Sequence, residues 1–246
     1  MILKKYPIVR QEVDVRDKLI SASLSPNANV KLPKMVDLRE KSPVMFDQGQ
    51  ENSCTANSGT LALMWQYPGC KILSRQFLYA NERIEEGDID KDQGAQMRTV
   101  CKAIQKYGVC EEIYFPYFTT NVFQTPPKSA YDNAKNHTIS SYRAVNGLDE
   151  IKMTLALKQQ PVMIAIDVFT SFESAIVAKT GVVPMPKRGE KNLGGHDVSI
   201  VMYDDKKKIL ILQNSWGSSW GMKGFFSLPY SFVEKGFAFD SWVLTK

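Results

Sequence analysis

Asp47-Gln48-Gly49-Gln50-Glu51-Asn52-Ser53-Cys54 runs straight into Thr55-Ala56-Asn57-Ser58-Gly59-Thr60-Leu61-Ala62-Leu63-Met64-Trp65-Gln66-Tyr67, and Pro68-Gly69 closes the stretch. Ser53 reads as an N-cap and the following residues as a helix from about Cys54 to Tyr67. Ala56, Leu61, Leu63, Met64 and Trp65 spread around much of that helix, which predicts a central helix buried on most sides. Its first residue is a cysteine. A thiol is a strong nucleophile only as thiolate, and the unpaired amides and dipole of a helix start favour negative charge by roughly 0.3–1 kcal/mol at exposed sites. A free cysteine at such a place is just as readable as a small buried apolar residue, so the helix start alone does not assign chemistry.

Outward from this helix, the first half of the chain leans helical. Further helices are expected from Ser74 to Ile84 and from Gln96 to Tyr107, the latter ended by Gly108. The second half leans toward sheet. Pro161–Val168 reads as a buried strand, and Val198–Tyr203 and Lys208–Gln213 as two more joined by the turn Asp204-Asp205-Lys206-Lys207. The expected class is α+β, with two lobes and a cleft between them, a usual place for a binding site. Residues 1–31 are polar and of mixed charge, with a loop-like Ser25-Pro26-Asn27-Ala28-Asn29, and read as an N-terminal extension ahead of a domain over 32–246.

The sheet half supplies a histidine. If the turn centres near Asp205, residues whose numbers sum to about 410 face each other, and His196 falls opposite Asn214. Directly opposite residues have Cβ atoms roughly 4.5–5.5 Å apart. An asparagine there can accept a hydrogen bond from one ring nitrogen and leave the other aimed at a nucleophile. A slip of one residue breaks the pairing. The run Asn214-Ser215-Trp216-Gly217-Ser218-Ser219-Trp220-Gly221 places tryptophans where they can cover that bond, and it reads equally as a glycine-rich turn with packed aromatics. Gly217–Gly221 also fits the G-x-S-x-G elbow of serine hydrolases, but no histidine follows Ser219, as that order of residues requires.

Taken together, these blocks resemble the papain family of cysteine peptidases from about Leu32 to the C-terminus. Leu32-Pro33-Lys34-Met35-Val36-Asp37-Leu38-Arg39 looks like that family's mature N-terminus, and Gln48 stands six residues before Cys54, as in the family. Gly195-His196 and Gln213–Gly221 match its other two blocks. His196 and Asn214 follow Cys54 by 142 and 160 residues, where the family's local signatures put them about 130–150 on. Val182-Val183-Pro184-Met185-Pro186 and Tyr203-Asp204-Asp205 look most like the bacterial and large-virus branch.

The resemblance implies a papain-like fold and peptide hydrolysis through an acyl-enzyme. Cys54 would be the nucleophile, His196 the general acid/base, Asn214 its orienting partner and Gln48 an oxyanion donor. Gly94, Gly195 and Trp216 would line the substrate site. An inactive fold kept for binding, or an amidase or acyl-transferase using the same Cys–His pair, are the alternatives. The chain departs from the family at Glu51, which replaces a disulfide cysteine three places before the nucleophile, and at Asp197, where the family has a small residue.

The remaining features bound the setting. The chain has 246 residues and a net charge of +5, with a mean hydropathy of -0.25, as in ordinary water-soluble proteins. No apolar run approaches a membrane span, and no apolar leader core follows Met1. The lysines are scattered. The one cluster, Lys206-Lys207-Lys208, sits in the expected turn, so no nucleic-acid partner is expected. Four cysteines, no C-x-x-C and two histidines argue against a zinc site. Free thiols, a cytoplasmic or otherwise reducing compartment, no cofactor and a protein or peptide substrate are expected. His137 reads as a surface residue, no long propeptide is read ahead of Leu32, and the extension is expected in or beside the cleft as a short pro-segment.

Overall fold

In a computed structural model the chain is described over residues 6–24 and 31–246. The loop expected at 25–29 and the leader reading of 1–5 lie outside the described residues. In chain order the elements are β1 (Tyr6–Pro7), β2 (Met35–Asp37), α1 (Cys54–Gln66), α2 (Arg75–Glu86), α3 (Met97–Tyr107), α4 (Lys128–Ala134), β3 (Ser141–Val145), α5 (Gly147–Met153), β4 (Val162–Phe169), α6 (Ala175–Thr180), β5 (Asn192–Asp204), β6 (Ile209–Gln213), β7 (Phe225–Pro229), α7 (Ser231–Glu234) and β8 (Ala238–Thr245).

The helical half packs α1 against α2 and α3. Residues Cys54 to Met64 of α1 are all buried, because its apolar and small side chains leave no face for water. Gly59 allows the closest approach. A Cβ there would meet Val100 Cγ2 at 2.4 Å, so α3 can lie directly on α1. Ser74 caps α2 by accepting from Phe77 N, and Gly87 ends it in the left-handed region. Ser53 holds the N-cap position of α1, but its hydroxyl is bonded to Tyr117 Oη at 2.6 Å and does not cap the helix.

The sheet half is an antiparallel sheet in the order β3-β8-β4-β5-β6-β7, with β1 and β2 added to β5. β5 begins earlier than its sequence suggests, at Asn192, so His196 lies within the strand opposite Ile166 of β4. Two apolar cores result. One is built from α1, α2 and α3 with Met163, Ala165 and Trp242 of the sheet, and the other lies on the far side of the sheet around Ile166, Val198, Ile200 and Phe226. The Lys206–Lys208 turn is exposed, with Asp204 Oδ1 accepting from the amides of Lys206 and Lys207.

The described part of the N-terminal segment is packed onto the sheet half. Tyr6–Pro7 lies parallel to Gly194–Gly195 of β5, and Ile20 and Leu24 are buried in the sheet-side core. His137 differs from expectation. It is half-buried, and its ring meets that of Tyr67 at 5.3 Å, because Val109 N–H binds its carbonyl and draws the loop onto the helical half. All four cysteines are free. Among the described residues no helix is long and apolar enough to cross a membrane.

Candidate active site

α1 puts Cys54 at its first residue, and the sulfur's surroundings show which strand it meets. The backbone N–H groups of Asp197 and Thr55 act on the Cys54 thiol, so the sulfur lies against β5 beside His196. Cys54 is 2% exposed. Burial pushes its thiol up to about 12, with the carboxyls of Asp197 and Glu82 adding to the rise and the two amides opposing it. The expected lowering by the helix start is therefore outweighed. Desolvation on this scale corresponds to about 4 kcal/mol, several times what a helix end supplies.

His196 is equally buried. Its Nε2 lies 2.8 Å from Asn214 Oδ1, and Ser215 N–H donates to the same oxygen at 2.8 Å. An acceptor shared this way must be the amide oxygen, so Nε2 carries the hydrogen and Nδ1 is the nitrogen left for proton exchange. The pairing reached from a hairpin centred on Asp205 needs correction. The ladder sets Ser199 opposite Gln213 and Asp204 opposite Ile209, with a bulge between Ile200 and Met202. Continuing that register places Asn214 beside Val198, two residues along from His196 on the same strand. The bond is a diagonal one, which survives because side chains two apart share a face.

Trp216 covers this bond. Its ring lies 5.2 Å from the imidazole and is itself held by Trp220 at 5.0 Å and Phe172 at 5.5 Å. Gln48 comes to the same place by backbone pairing. Its N–H donates to Ser215 O at 2.8 Å, and Gly217 N–H donates to Phe46 O at 2.9 Å. The Gln48 amide oxygen accepts from Ser215 Oγ at 2.5 Å, and its nitrogen donates to Glu51 O at 2.8 Å. One block, 214–217, thus holds the histidine's partner, the histidine's cover and the glutamine's side chain. Ser215 stood in the quoted motif with no role attached, and its hydroxyl fixes the direction of the Gln48 amide.

The two glycines expected at the substrate site face each other across the N-terminal segment. Ile8 N–H donates to Gly195 O at 3.3 Å. On the helical side, a Cβ on Gly94 would meet Pro7 Cγ at 2.3 Å. Gly94 does not offer its own N–H, however, because that group donates to Tyr79 Oη at 3.1 Å. Tyr79 in turn donates to Asp92 Oδ1, and Asn52 N–H reaches the same oxygen at 3.0 Å. This hydrogen-bonded clamp ties the Gly94 loop to the segment before Cys54, next to Glu51, where the resemblance implied a disulfide cysteine.

Sequence reasoning missed Tyr6. Its ring lies 6.0 Å from that of His196 and 6.4 Å from that of Trp216, its hydroxyl donates to Glu173 at 2.6 Å, and it is electrostatically coupled to Cys54. Tyr6 is the sole aromatic of residues 1–31, and that was the signal a reading of the extension could have used. Among the described residues no cluster of three or more His, Cys, Asp or Glu could hold a metal.

The family model for papain family cysteine proteases matches residues 32–236. The chain belongs to that family. It is 35% identical over 277 aligned positions to an uncharacterised peptidase C1-like protein of Acanthamoeba polyphaga mimivirus, covering 99% of this chain and 87% of the relative. It is also 31% identical to cathepsin L of Sarcophaga peregrina, covering 89% of this chain but 66% of that longer protein. Among solved structures it is similar to xylellain, a cysteine protease from Xylella fastidiosa. The TM-score is 0.89 at 30% identity, with 100% of this chain and 98% of that chain covered. The fold is the papain-like α+β fold, the domain is that of a cysteine-type endopeptidase, and the similarity to viral and bacterial members agrees with the branch read from the sequence.

Proposed function

We propose that the chain hydrolyses peptide bonds in protein or peptide substrates with Cys54, His196, Asn214 and Gln48 as its catalytic group. The observation that carries this reading is the shared Asn214 oxygen, which fixes Nε2–H of His196 and leaves Nδ1 for the Cys54 proton. The Cys54 sulfur attacks the scissile carbonyl carbon while its proton passes to His196. The oxyanion receives the backbone N–H of Cys54 and the Gln48 side-chain hydrogen not bonded to Glu51, each such donor contributing roughly 3–4 kcal/mol in other enzymes. The imidazolium then protonates the leaving amine, and water attacks the thioester with His196 as base, releasing the acid and restoring the thiol.

In the same reading, residues 6–8 form an occluding segment. They lie between Gly94 and Gly195, the two walls assigned to substrate, and Tyr6 shields the Cys54–His196 pair from water. A substrate must displace them. Displacement also rehydrates the sulfur, easing the burial that keeps it a thiol.

Turnover of a fluorogenic peptide library by wild type and Cys54→Ala tests the activity. Cleavage that survives Cys54→Ala would refute it, and acyl transfer to an added amine in preference to water would favour the transferase alternative. Replacing Tyr6, Pro7 and Ile8 by glycines, with Ile20 and Leu24 left as anchors, tests the occlusion. The account expects faster turnover, chiefly through a lower KM. Unchanged kinetics in a folded variant would remove the occluding role.

A further inference from the structure

Asp197 follows the histidine directly and points the other way from the sheet, toward α1. It is 1% exposed; the Ser58 hydroxyl and the backbone N–H groups of Val198 and Ile164 act on its carboxyl, but no hydrogen bond of ordinary geometry closes on either oxygen. The hydroxyl beside it, Ser58 Oγ, is bonded to Ser199 Oγ at 3.0 Å. The charged group that acts on it is another carboxyl, Glu82. Burial holds the carboxyl well above the usual range, with Glu82 adding to the rise.

A second buried group lacks its partner in the same place. Asn214 Nδ2 has no acceptor, although the other end of that amide carries the bonds to His196 and Ser215. Asp197 and Asn214 line one small cavity with Ser58, Ser199, Asn57 and Gln213, of about 10 Å³. That is roughly the room one water molecule needs. A water molecule fits a space of this size and can accept from the Asn214 amide N–H while exchanging a hydrogen bond with the carboxyl in either protonation state.

We propose that Asp197 is a positioning residue, joined through one buried water to Asn214 Nδ2, so that the amide presenting its oxygen to His196 is held at both ends. This rests on the reading of Cys54, His196 and Asn214 as the catalytic group. It gives a role to the family departure at this position, since a small residue there leaves the amide nitrogen without this link.

The test is a comparison of Asp197→Asn, Asp197→Ala and Asp197→Val with wild type, each titrated for active sites with a thiol-directed covalent peptidase inhibitor. Asp197→Asn, which can still both donate and accept, should keep kcat within about twofold. The alanine and valine variants should lose about 10- to 100-fold in kcat with KM little changed, as for misplacement of a catalytic group, and one valine or alanine variant that folds suffices. In an Asn214→Ala background the same substitutions should cost almost nothing further. Equal loss in Asp197→Asn and Asp197→Ala, or full additivity with Asn214→Ala, would overturn the proposal. If wild type shows no Cys54-dependent turnover at all, the underlying catalytic reading fails first, which is a separate outcome.

Discussion

Pro7 and Gly94 occupy positions so close that any side chain on the glycine would strike the proline ring, its Cβ falling 2.3 Å from Pro7 Cγ. The N-terminal segment at Tyr6–Ile8 is thus fitted to a bare patch of backbone, the patch assigned to one wall of the cleft in the proposed reading. Gly94 also holds φ at +80°, where a side chain adds strain. Gly94→Ala should therefore loosen residues 6–8 from the cleft. The expected outcome is faster cleavage of the segment by an added protease of different class, with a fall in Tm. Identical digestion patterns would mean that the contact does not hold the segment.

In the proposed reaction, the bond from His196 to Asn214 sets which ring nitrogen exchanges protons. Asn214→Ala removes that choice and leaves Ser215 N–H without its acceptor. A fall in kcat of about 10²-fold is expected, with a smaller change in KM. An NMR measurement of the His196 tautomer should show Nε2–H losing dominance in the variant. A variant with full kcat would show that Trp216 and the strand alone orient the ring.

Gln48 and Ser215 make a graded pair. Gln48→Ala should cost about 10²–10³ in kcat as the loss of one oxyanion donor. Ser215→Ala should cost less, because it frees the Gln48 amide to rotate without deleting its hydrogen. If Ser215→Ala cost more than Gln48→Ala, the hydroxyl would have a role of its own in the reaction.

Glu51 links stability to pH. Burial raises its carboxyl to about 7, with Asp92 adding and Tyr117, Arg83 and Arg75 opposing. The native chain then holds a proton that the unfolded chain has released between about pH 4.5 and 7, so this group subtracts stability as pH rises through that window. Its ceiling is about 3 kcal/mol. Glu51→Gln should leave Tm near pH 4 unchanged and raise it at pH 8. A variant less stable than wild type at pH 8 would contradict the sign.

Much of this site was legible because its parts are local. A helix with small and apolar residues all round can only be central, and α1 is. The Gln48 segment and the 214–221 block carry their own turn chemistry, so their residues are fixed by short-range sequence. What depends on pairing was harder to read. The bulge between Ile200 and Met202 shifts the hairpin, and no residue type announces it, so the Asn214 bond was reached with the wrong register. The sequence begins this strand at Val198, yet Gly194 and Gly195 already lie in β5, where their bare backbone lets residues 6–8 add alongside. The thiol's rise was invisible for a similar reason. Helix position is readable from the sequence, while the burial that opposes it comes with packing against β5, distant in the chain.

Four free cysteines make one measurement decisive. Cys70 is more exposed than Cys54, Cys101 or Cys110, so labelling governed by access alone would fall on Cys70. Mass spectrometry after reaction with one equivalent of a peptidase-directed epoxide should instead find the adduct on Cys54, and His196→Ala should abolish it. An adduct on Cys70, or labelling of Cys54 undiminished in His196→Ala, would contradict a sulfur activated by that imidazole.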